Sequence, residues 1–454
     1  MFSKVLVANR GEIAVRVIRA CRELGVASAA IFSEADAGAP HVRLADEAHP
    51  CGPAPARESY LDGERILRIA TSCGADAIHP GYGFLSENAD FAEACVAAGL
   101  VFIGPSSDVM RRMGDKVQAR RAMQAAGMPI VPGATERLTD EAFAARCEQI
   151  GYPVMVKASA GGGGKGLRRV ESADDLAKAL PRARSESESA FGDGGLYVEK
   201  WLESPRHIEI QVLADAYGNT LHCFERECSI QRRHQKLVEE APAPQLTEGL
   251  RARMAEAAIK ATKAIGYQSA GTFEFLVDSD DQFFFLEMNT RIQVEHAVTE
   301  AITGIDLVKE MIRIAAGEPL TIRQDDLSIR GHAIEARIYA ENPQKGFLPS
   351  PGPIERWHEP EGPGVRVDSG VEAGNQVTIH YDPLLAKLVV WGRDRDEAVA
   401  RLAQAVDEFE VEGIYTSLAF HRQLVQHPVF LNGNYDTGFI GEHMKPPKKE
   451  KKAR

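Results

Sequence analysis

Gly271-Thr-Phe-Glu-Phe-Leu-Val277 and Phe283-Phe-Phe-Leu-Glu-Met-Asn289, joined by Asp278-Ser-Asp-Asp-Gln282, read as two β-strands and a polar turn. Side chains of a strand alternate between faces, so Thr272, Glu274 and Leu276 share one face. On the second strand Phe283, Phe285, Glu287 and Asn289 are expected to share one. Pairing of the two strands is expected to set Glu274 opposite Glu287, with Cβ atoms about 5 Å apart. Two carboxylates so close, between apolar neighbours, repel unless something neutralises them. A shared proton would do so. A magnesium ion would do it better, because it favours carboxylate oxygens together with substrate phosphates. Asn289 adds a third oxygen. The competing reading is a pair of glutamates on a solvated face.

The chain continues Asn289-Thr-Arg-Ile-Gln-Val-Glu295-His. If it stays extended, Asn289, Arg291, Gln293 and Glu295 point to one side. Arg291 can hold a small planar oxyanion through two hydrogen bonds. Glu295 is then placed to take a proton from it. Two further strands carry polar faces, His207-Ile-Glu-Ile-Gln-Val212, with His207, Glu209 and Gln211 together, and His332-Ala-Ile-Glu-Ala-Arg-Ile-Tyr339, with Glu335, Arg337 and Tyr339 together; between them Arg226-Glu-Cys-Ser-Ile-Gln-Arg-Arg-His-Gln-Lys236 is a basic cluster in an acidic chain. Taken alone, each also fits a plain edge strand, a solvated loop or a structural salt bridge.

Upstream, Val154–Lys157 is an apolar strand that leads into Ala158-Ser-Ala-Gly-Gly-Gly-Gly-Lys-Gly166. Consecutive glycines let backbone N–H groups approach phosphate oxygens. The spacing is not that of a P-loop, and a flexible hairpin tip is the bland alternative. Lys157 and Lys165 beside such a turn favour a triphosphate over a dinucleotide. The unit continues with a helix at Ala173–Ala183 and a strand at Leu196–Lys200. It is small and glycine-rich, as suits a mobile lid.

The first hundred residues alternate strand and helix: strands at Val5–Ala8, Ser28–Phe32, Ala75–His79 and Val101–Ile103, helices at Glu12–Leu24, Tyr60–Ser72 and Asn88–Ala98. Such alternation predicts a parallel sheet covered on both faces, with ligands at the carboxyl ends of the strands. Those ends carry Asn9-Arg-Gly-Glu12 and His79-Pro-Gly-Tyr-Gly83.

The whole chain has 454 residues, of which 26% are charged, and a formal net charge of −12. That length calls for several domains. The acidic balance argues against a general attraction to nucleic acid or to anionic membranes. No apolar run approaches the ~20 residues that cross a bilayer, and the N-terminus has no signal-peptide pattern. Seven scattered cysteines read as reduced thiols of a cytoplasmic protein. Residues Lys445–Arg454, six of them basic, read as a solvated tail.

Taken in order, NRGEIAVRVIRACRELG, HPGYGFLSEN, FIGPS, MGDK, VMVKASAGGGGKG, RHIEIQV, ERECSIQRRHQKL, GTFEFLV, FLEMNTRIQVEH and EARIYAE resemble the motifs of biotin carboxylase, the ATP-grasp subunit or domain of biotin-dependent carboxylases. The match spans essentially residues 1–444. It implies an α/β and α+β architecture: an N-terminal doubly wound parallel-sheet domain (1–114), an ATP-grasp lid (115–203), an ATP-grasp core (204–331), a C-terminal mixed antiparallel-sheet domain (332–444) and the tail (445–454).

The resemblance also implies a ligase that carboxylates biotin with ATP and bicarbonate through carboxyphosphate. In this sequence the positions matching nucleotide contacts are Lys116, Lys157, Gly162, Gly163, Gly164, Lys165, Gly166, Glu199, Lys200, Leu202, His207, Gln231, His234 and Leu276. Glu274 and Glu287, with Asn289 beside them, match ligands of Mg²⁺ or Mn²⁺. Lys236, Arg291, Gln293, Val294 and Glu295 match a bicarbonate pocket, and Tyr82 and Arg337 match residues near the biotin ureido ring. The catalytic set is Glu295, Arg337, Arg291 and Lys236.

The chain has no Ala-Met-Lys-Met biotinylation motif. The biotin carboxyl carrier and the carboxyltransferase are therefore expected as separate chains, unless the sequence is truncated, and the family implies a homodimer. Gly433-Asn-Tyr-Asp-Thr-Gly-Phe-Ile440 resembles the acyl-CoA and pyruvate carboxylase branch, a hint about an acceptor that the sequence leaves open. The runner-up is another ATP-grasp ligase joining a carboxylate to an amine, and a different class is a non-catalytic ATP sensor. HPGYG, RIQVEH and a full set of matched catalytic positions argue against both.

Overall fold

Short apolar strands separated by amphipathic helices build the N-terminal sheet. In the computed structural model, which describes residues 1–134, 138–158, 168–192 and 194–444, five parallel strands lie in the order Glu47–Gly52, Ala27–Ser33, Lys4–Val7, Ala77–His79, Val101–Phe102. The helix Gly11–Glu23 packs Ile13, Val17 and Ile18 into an apolar core that also takes in Leu213, Leu221 and Met311. That shared core fixes the N-terminal sheet against the central one. Its two strand-end loops are laced together: the Asn9 amide donates to the carbonyls of Pro80 (2.7 Å) and Tyr82 (2.8 Å). Gly81, at φ +62°, must be glycine here, because a Cβ would lie 2.9 Å from the Asn9 amide nitrogen.

The strand Glu47–Gly52 was not anticipated. It is polar and contains Pro50, which a sheet tolerates only at its edge, and it occupies the edge. In the second unit, Val154–Ala158 is the middle strand of a three-stranded antiparallel sheet between Arg168–Val170, also unanticipated, and Leu196–Lys200. The helix expected at Ala173–Ala183 runs to Phe191, with Pro181 inside it. The glycine-rich stretch with Gly162, Gly163, Gly164, Lys165 and Gly166, and the basic tail, lie outside the described residues.

One eight-stranded sheet forms the rest of the frame, in the order Phe283–Asn289, Ser269–Val277, Arg206–Ala214, Thr220–Arg232, Gln235–Ala241, His332–Tyr339, Leu384–Gly392, Val365–Ser369. The strand Gln235–Ala241 pairs antiparallel with His332–Tyr339, so the sheet runs on from the middle of the chain into its C-terminal part. One face of its first half is apolar. Phe273, Phe275, Phe283 and Phe285 bury there with Ile208, Ile210 and Val212 against the helix Glu248–Ile265. Each such side chain contributes about 1.5–3 kcal/mol. The opposite face collects the charged side chains. Among the described residues no helix is long and apolar enough to cross a membrane.

The hairpin of Ser269–Val277 and Phe283–Asn289 corrects one expectation. Val277 pairs with Phe283 and Phe275 with Phe285, yet Glu274 pairs with Glu287 and not with Leu286. A bulge at this point absorbs one residue. Consequently Phe283 and Phe285 face the apolar core beside Phe275 and Val277, while Glu287 and Asn289 turn to the face of Glu274. Strict alternation had put all four on one face.

Candidate active site

The charged face of the central sheet is organised around Lys236. Its ammonium donates to Glu209 (2.6 Å), Glu274 (2.8 Å) and Glu295 (2.6 Å). Burial alone would lower the Lys236 pKa, but the three carboxylates hold it well above the ordinary lysine value. The reciprocal holds for Glu295: burial would raise its carboxyl, and Lys236, Arg337 and Arg226 outweigh this and keep it ionised far below the usual range. Glu295 also accepts from Arg337 Nη2 at 2.9 Å. It is a buried, ionised, doubly held carboxylate, competent to accept a proton once a substrate oxygen displaces one of its partners.

The segment from Asn289 to Glu295 is not an extended strand. It leaves the sheet after Asn289, turns, and enters the helix His296–Thr303 with Glu295 at the N-cap position. The turn nevertheless brings the predicted groups to one place. The Gln293 amide donates to Glu274 Oε1 at 2.7 Å, and the Asn289 amide donates to the same oxygen at 2.9 Å. Arg291 Nη2 donates to Asn289 Oδ1 at 3.0 Å. The carbonyl of Val294 accepts from Lys387 at 2.8 Å, which fixes the turn from below.

Two partners in this cluster escaped the sequence reading. Arg291 Nε donates to Glu87 Oε2 at 2.9 Å. Glu87 lies just beyond the HPGYG loop, so the N-terminal unit orients the Arg291 guanidinium. Arg226 is fully buried. It donates to Glu209, to Gln211 (2.8 Å), Thr299 (2.9 Å) and Thr272 (3.2 Å), and to Gln293 Oε1 (2.8 Å). In the sequence it stands only as the first residue of a basic run, which also fits a solvated loop.

The metal candidates are placed as follows. Glu274 is buried and lies opposite Glu287. Burial would raise Glu274, but Lys236 and His207 hold it well below the ordinary carboxylate range. His207 Nε2 lies 3.2 Å from Glu274 Oε2. Glu287 remains open to the cleft by surface area. Dense surroundings and then the Glu274 charge still push its carboxyl up, with Lys116 opposing. A carboxylate pair whose mutual repulsion raises one member, with an amide oxygen nearby, is an oxygen-only donor set of the kind a hard divalent cation takes. Another cluster of possible ligand atoms, Glu209, Cys228 and Glu295, is already spanned by Lys236 and Arg226.

The nucleotide candidates fall into two groups. Lys116 opens the helix Lys116–Ala125, which Asp115 caps by accepting from Gln118 N–H, and it faces Glu287. Lys157 and Glu199 meet across the three-stranded sheet as a short ion pair, which Arg120 also joins. His207 and Gln231 are neighbours at 3.4 Å, and Leu276 is paired directly with His207. His234 is exposed at the tip of the hairpin joining Thr220–Arg232 to Gln235–Ala241, with φ values of +51° for Arg233 and +65° for His234. A two-residue turn of this form ordinarily carries Asn-Gly. Non-glycine residues held there point to a constrained site. The Lys200 ammonium donates to the carbonyl of Gly151 at 2.9 Å, inside the small sheet. Leu202 follows that strand and is half-buried.

Tyr82 stands on the loop after the strand Ala77–His79, and Arg337 on the strand His332–Tyr339. The Tyr82 hydroxyl donates to Glu12, and Arg337 donates to Glu239 (Nε, 2.6 Å) and to Glu295.

A parallel-sheet unit, a small glycine-bearing sheet and a large antiparallel sheet, with lysines and paired carboxylates between them, define an ATP-grasp protein. Comparison with known proteins is consistent along the chain. Family descriptions match as "Biotin carboxylase, N-terminal domain" at residues 1–110, "Carbamoyl-phosphate synthase L chain, ATP binding domain" at 115–323, and "Biotin carboxylase C-terminal domain" at 335–442. The chain is 54% identical over 445 residues to a pyruvate carboxylase subunit of Methanothermobacter thermautotrophicus, covering 98% of this chain and 90% of that one. It is 51% identical over 442 residues to biotin carboxylase 1 of Bacillus subtilis, covering 97% and 98%. Among solved structures, the biotin carboxylase domain dimer of Hydrogenobacter thermophilus 2-oxoglutarate carboxylase, in complex with MgADP, ADP and bicarbonate, superposes with a TM-score of 0.94 at 49% identity, covering 98% of each chain. Campylobacter jejuni biotin carboxylase in a β,γ-ATP complex gives 0.94 at 48% identity, covering 98% and 99%. The chain belongs to the biotin carboxylase family.

Proposed function

We propose that the cleft carries out ATP- and bicarbonate-dependent carboxylation of biotin on a carrier protein, the first half-reaction of a biotin-dependent carboxylase. The observation that carries this reading is the Lys236–Glu295–Arg337 constellation: a buried base held ionised between an ammonium and a guanidinium, beside Arg291 and Gln293. An oxyanion bound by Lys236, Arg291 and Gln293 places its hydroxyl against Glu295. Glu295 takes that proton, and the freed oxygen attacks the γ-phosphorus of ATP. The bond from that phosphorus to the bridging oxygen breaks and ADP leaves. Lys116 and Lys157 face the phosphate chain and offset the charge that accumulates on it. The metal, held by Glu274 and Glu287 with Asn289 alongside, supplies charge neutralisation at the phosphates when bound.

Carboxyphosphate then splits at its carbon–oxygen bond into CO₂ and phosphate. Phosphate takes the N1 proton of biotin, N1 attacks CO₂, and Arg337 stabilises the enolate-like ureido oxygen, with Tyr82 nearby. Water must stay out, because carboxyphosphate hydrolyses unproductively. Covering the site is the role assigned to the Gly162–Gly166 stretch.

The finer reading is a carrier and a carboxyltransferase on separate chains, two copies of this chain paired as in the dimeric relative, and Mn²⁺ able to replace Mg²⁺. Seven free cysteines fit a reducing, cytoplasmic setting. The test is single-turnover transfer from carbon-labelled bicarbonate to biotin with MgATP. Labelled carboxybiotin is expected only when all three substrates are present. ATP cleavage indifferent to biotin and dependent on an amine would overturn the reading in favour of a carboxylate–amine ligase.

A further inference from the structure

Beside Arg337, two glutamates face each other inside the sheet. Glu239 and Glu335 are register partners on the antiparallel strands Gln235–Ala241 and His332–Tyr339. Directly opposed residues have Cβ atoms about 5 Å apart. Both side chains are fully buried. Glu239 gives one oxygen, Oε1, to Arg337. Its Oε2 and both oxygens of Glu335 receive no donor from the described residues.

The surrounding charges do not balance two carboxylates here. On the strand of Glu239, Lys236 is committed to Glu209, Glu274 and Glu295. On the strand of Glu335, Arg337 is shared with Glu295, and the Tyr339 hydroxyl accepts from Arg337 at 3.3 Å. From Leu384–Gly392, Lys387 is 3.4 Å from Glu12 and 3.6 Å from Asp368, the latter on Val365–Ser369, and it donates to the Val294 carbonyl. From Thr220–Arg232, Cys228 faces Glu239 as a neutral thiol. Glu12 also accepts from the Tyr82 hydroxyl.

We propose that Glu239 and Glu335 share a single proton, and that this proton positions Arg337 and preserves its positive potential toward the ureido oxygen of biotin. Two buried carboxyls about one side chain apart, with three oxygens lacking donors, cannot both ionise. Burial raises Glu239 to about 7 against the pull of Arg337, and burial raises Glu335 well above the ordinary carboxylate range, opposed by Lys387 and reinforced by the Glu239 charge. With the proton present the pair carries one negative charge, which Arg337 matches while its other edge reaches Glu295. With the proton gone, a second charge stands beside Arg337, draws the guanidinium toward it and opposes charge developing on the substrate. Both residues act through Arg337 and touch no substrate. The role rests on the biotin-carboxylating reading of the cleft, whereas the shared proton itself does not.

Two measurements on the full chain test this. Infrared spectroscopy should show a protonated-carboxyl stretch in the wild type near neutral pH, absent in Glu335→Gln and lost from the wild type as pH rises. The biotin-dependent rate of the wild type should fall by at least roughly tenfold across the same rise, the effect of one added unit charge near the reacting group. In Glu335→Gln, a permanent neutral mimic, that alkaline limb should vanish from the profile. An identical limb in both proteins, or no such band in the wild type, overturns the proposal. Should Glu335→Gln fail to fold, the wild-type band and the profile of Glu239→Gln decide by the same criteria. A band present in a chain that never carboxylates biotin overturns the role at Arg337 and the reading of the reaction, separating that failure from the failure of the proton pair.

Discussion

Replacing Arg226 by Met removes a guanidinium that has no exposed surface and five buried acceptors. Methionine fills much of the volume but donates nothing. Stripping one partner from a buried ion pair costs about 3–5 kcal/mol. Glu209 keeps Lys236 at 2.6 Å, so the lower end, about 3 kcal/mol, is expected. That corresponds to roughly a hundredfold faster amide exchange in the local opening of strands Arg206–Ala214 and Thr220–Arg232. The second consequence is chemical. Gln293 Oε1 loses its 2.8 Å anchor, and a hydrogen bond to a charged group contributes about 1.5–3 kcal/mol. If Gln293 holds bicarbonate, the bicarbonate KM should rise about tenfold or more while the ATP KM moves far less. Exchange mass spectrometry and steady-state kinetics read the two arms. Unchanged protection with an unchanged bicarbonate KM would refute the argument that Arg226 underpins the pocket.

Glu295→Gln and Arg337→Ala should retain ATP binding and lose biotin carboxylation, the former by roughly 10²–10⁴-fold, as for a removed general base; unaltered turnover in both would refute the assigned roles. Glu274→Gln should weaken metal-dependent nucleotide binding by roughly 10–100-fold, with little change in metal-free binding, as read by calorimetric titration. Acid should destabilise the fold through its buried neutral histidines. Burial lowers His41 and His421 to about 4, below the unfolded value. Their contribution is complete above pH ~6.5 and is lost as pH falls toward the folded value, so each should remove about 2 kcal/mol between pH 7 and pH 5. Denaturation at the two pH values, with His421→Gln as the comparison, checks the sign.

How much of this was legible in the sequence differs by element. The N-terminal alternation was readable because buried parallel strands are short apolar runs and their helices are amphipathic. The edge strand Glu47–Gly52 carries neither signal. The facing of Glu274 and Glu287 was expected from the hairpin, but a regular ladder from the turn would set Leu286 opposite Glu274, and the bulge that brings Glu287 there was not readable. A bulge is a local exchange of ladder bonds for twist, and the sequence Phe-Leu-Glu does not encode it. Likewise Arg291, Gln293 and Glu295 were grouped by assuming an extended chain, whereas a turn into a helix groups them. Glu87 and Arg226 were missed because their partners lie far away in sequence. Burial of a charge is a property of the assembled sheet, and composition along one strand does not reveal it.

The central step is attack of bicarbonate on the γ-phosphorus of ATP within the Lys236–Arg291–Glu295 pocket. Bicarbonate labelled with heavy oxygen, supplied with MgATP and biotin in a single turnover, tests this directly. Attack by bicarbonate delivers one of its oxygens to the released inorganic phosphate, so labelled phosphate is predicted. Unlabelled phosphate released alongside labelled carboxybiotin would contradict it.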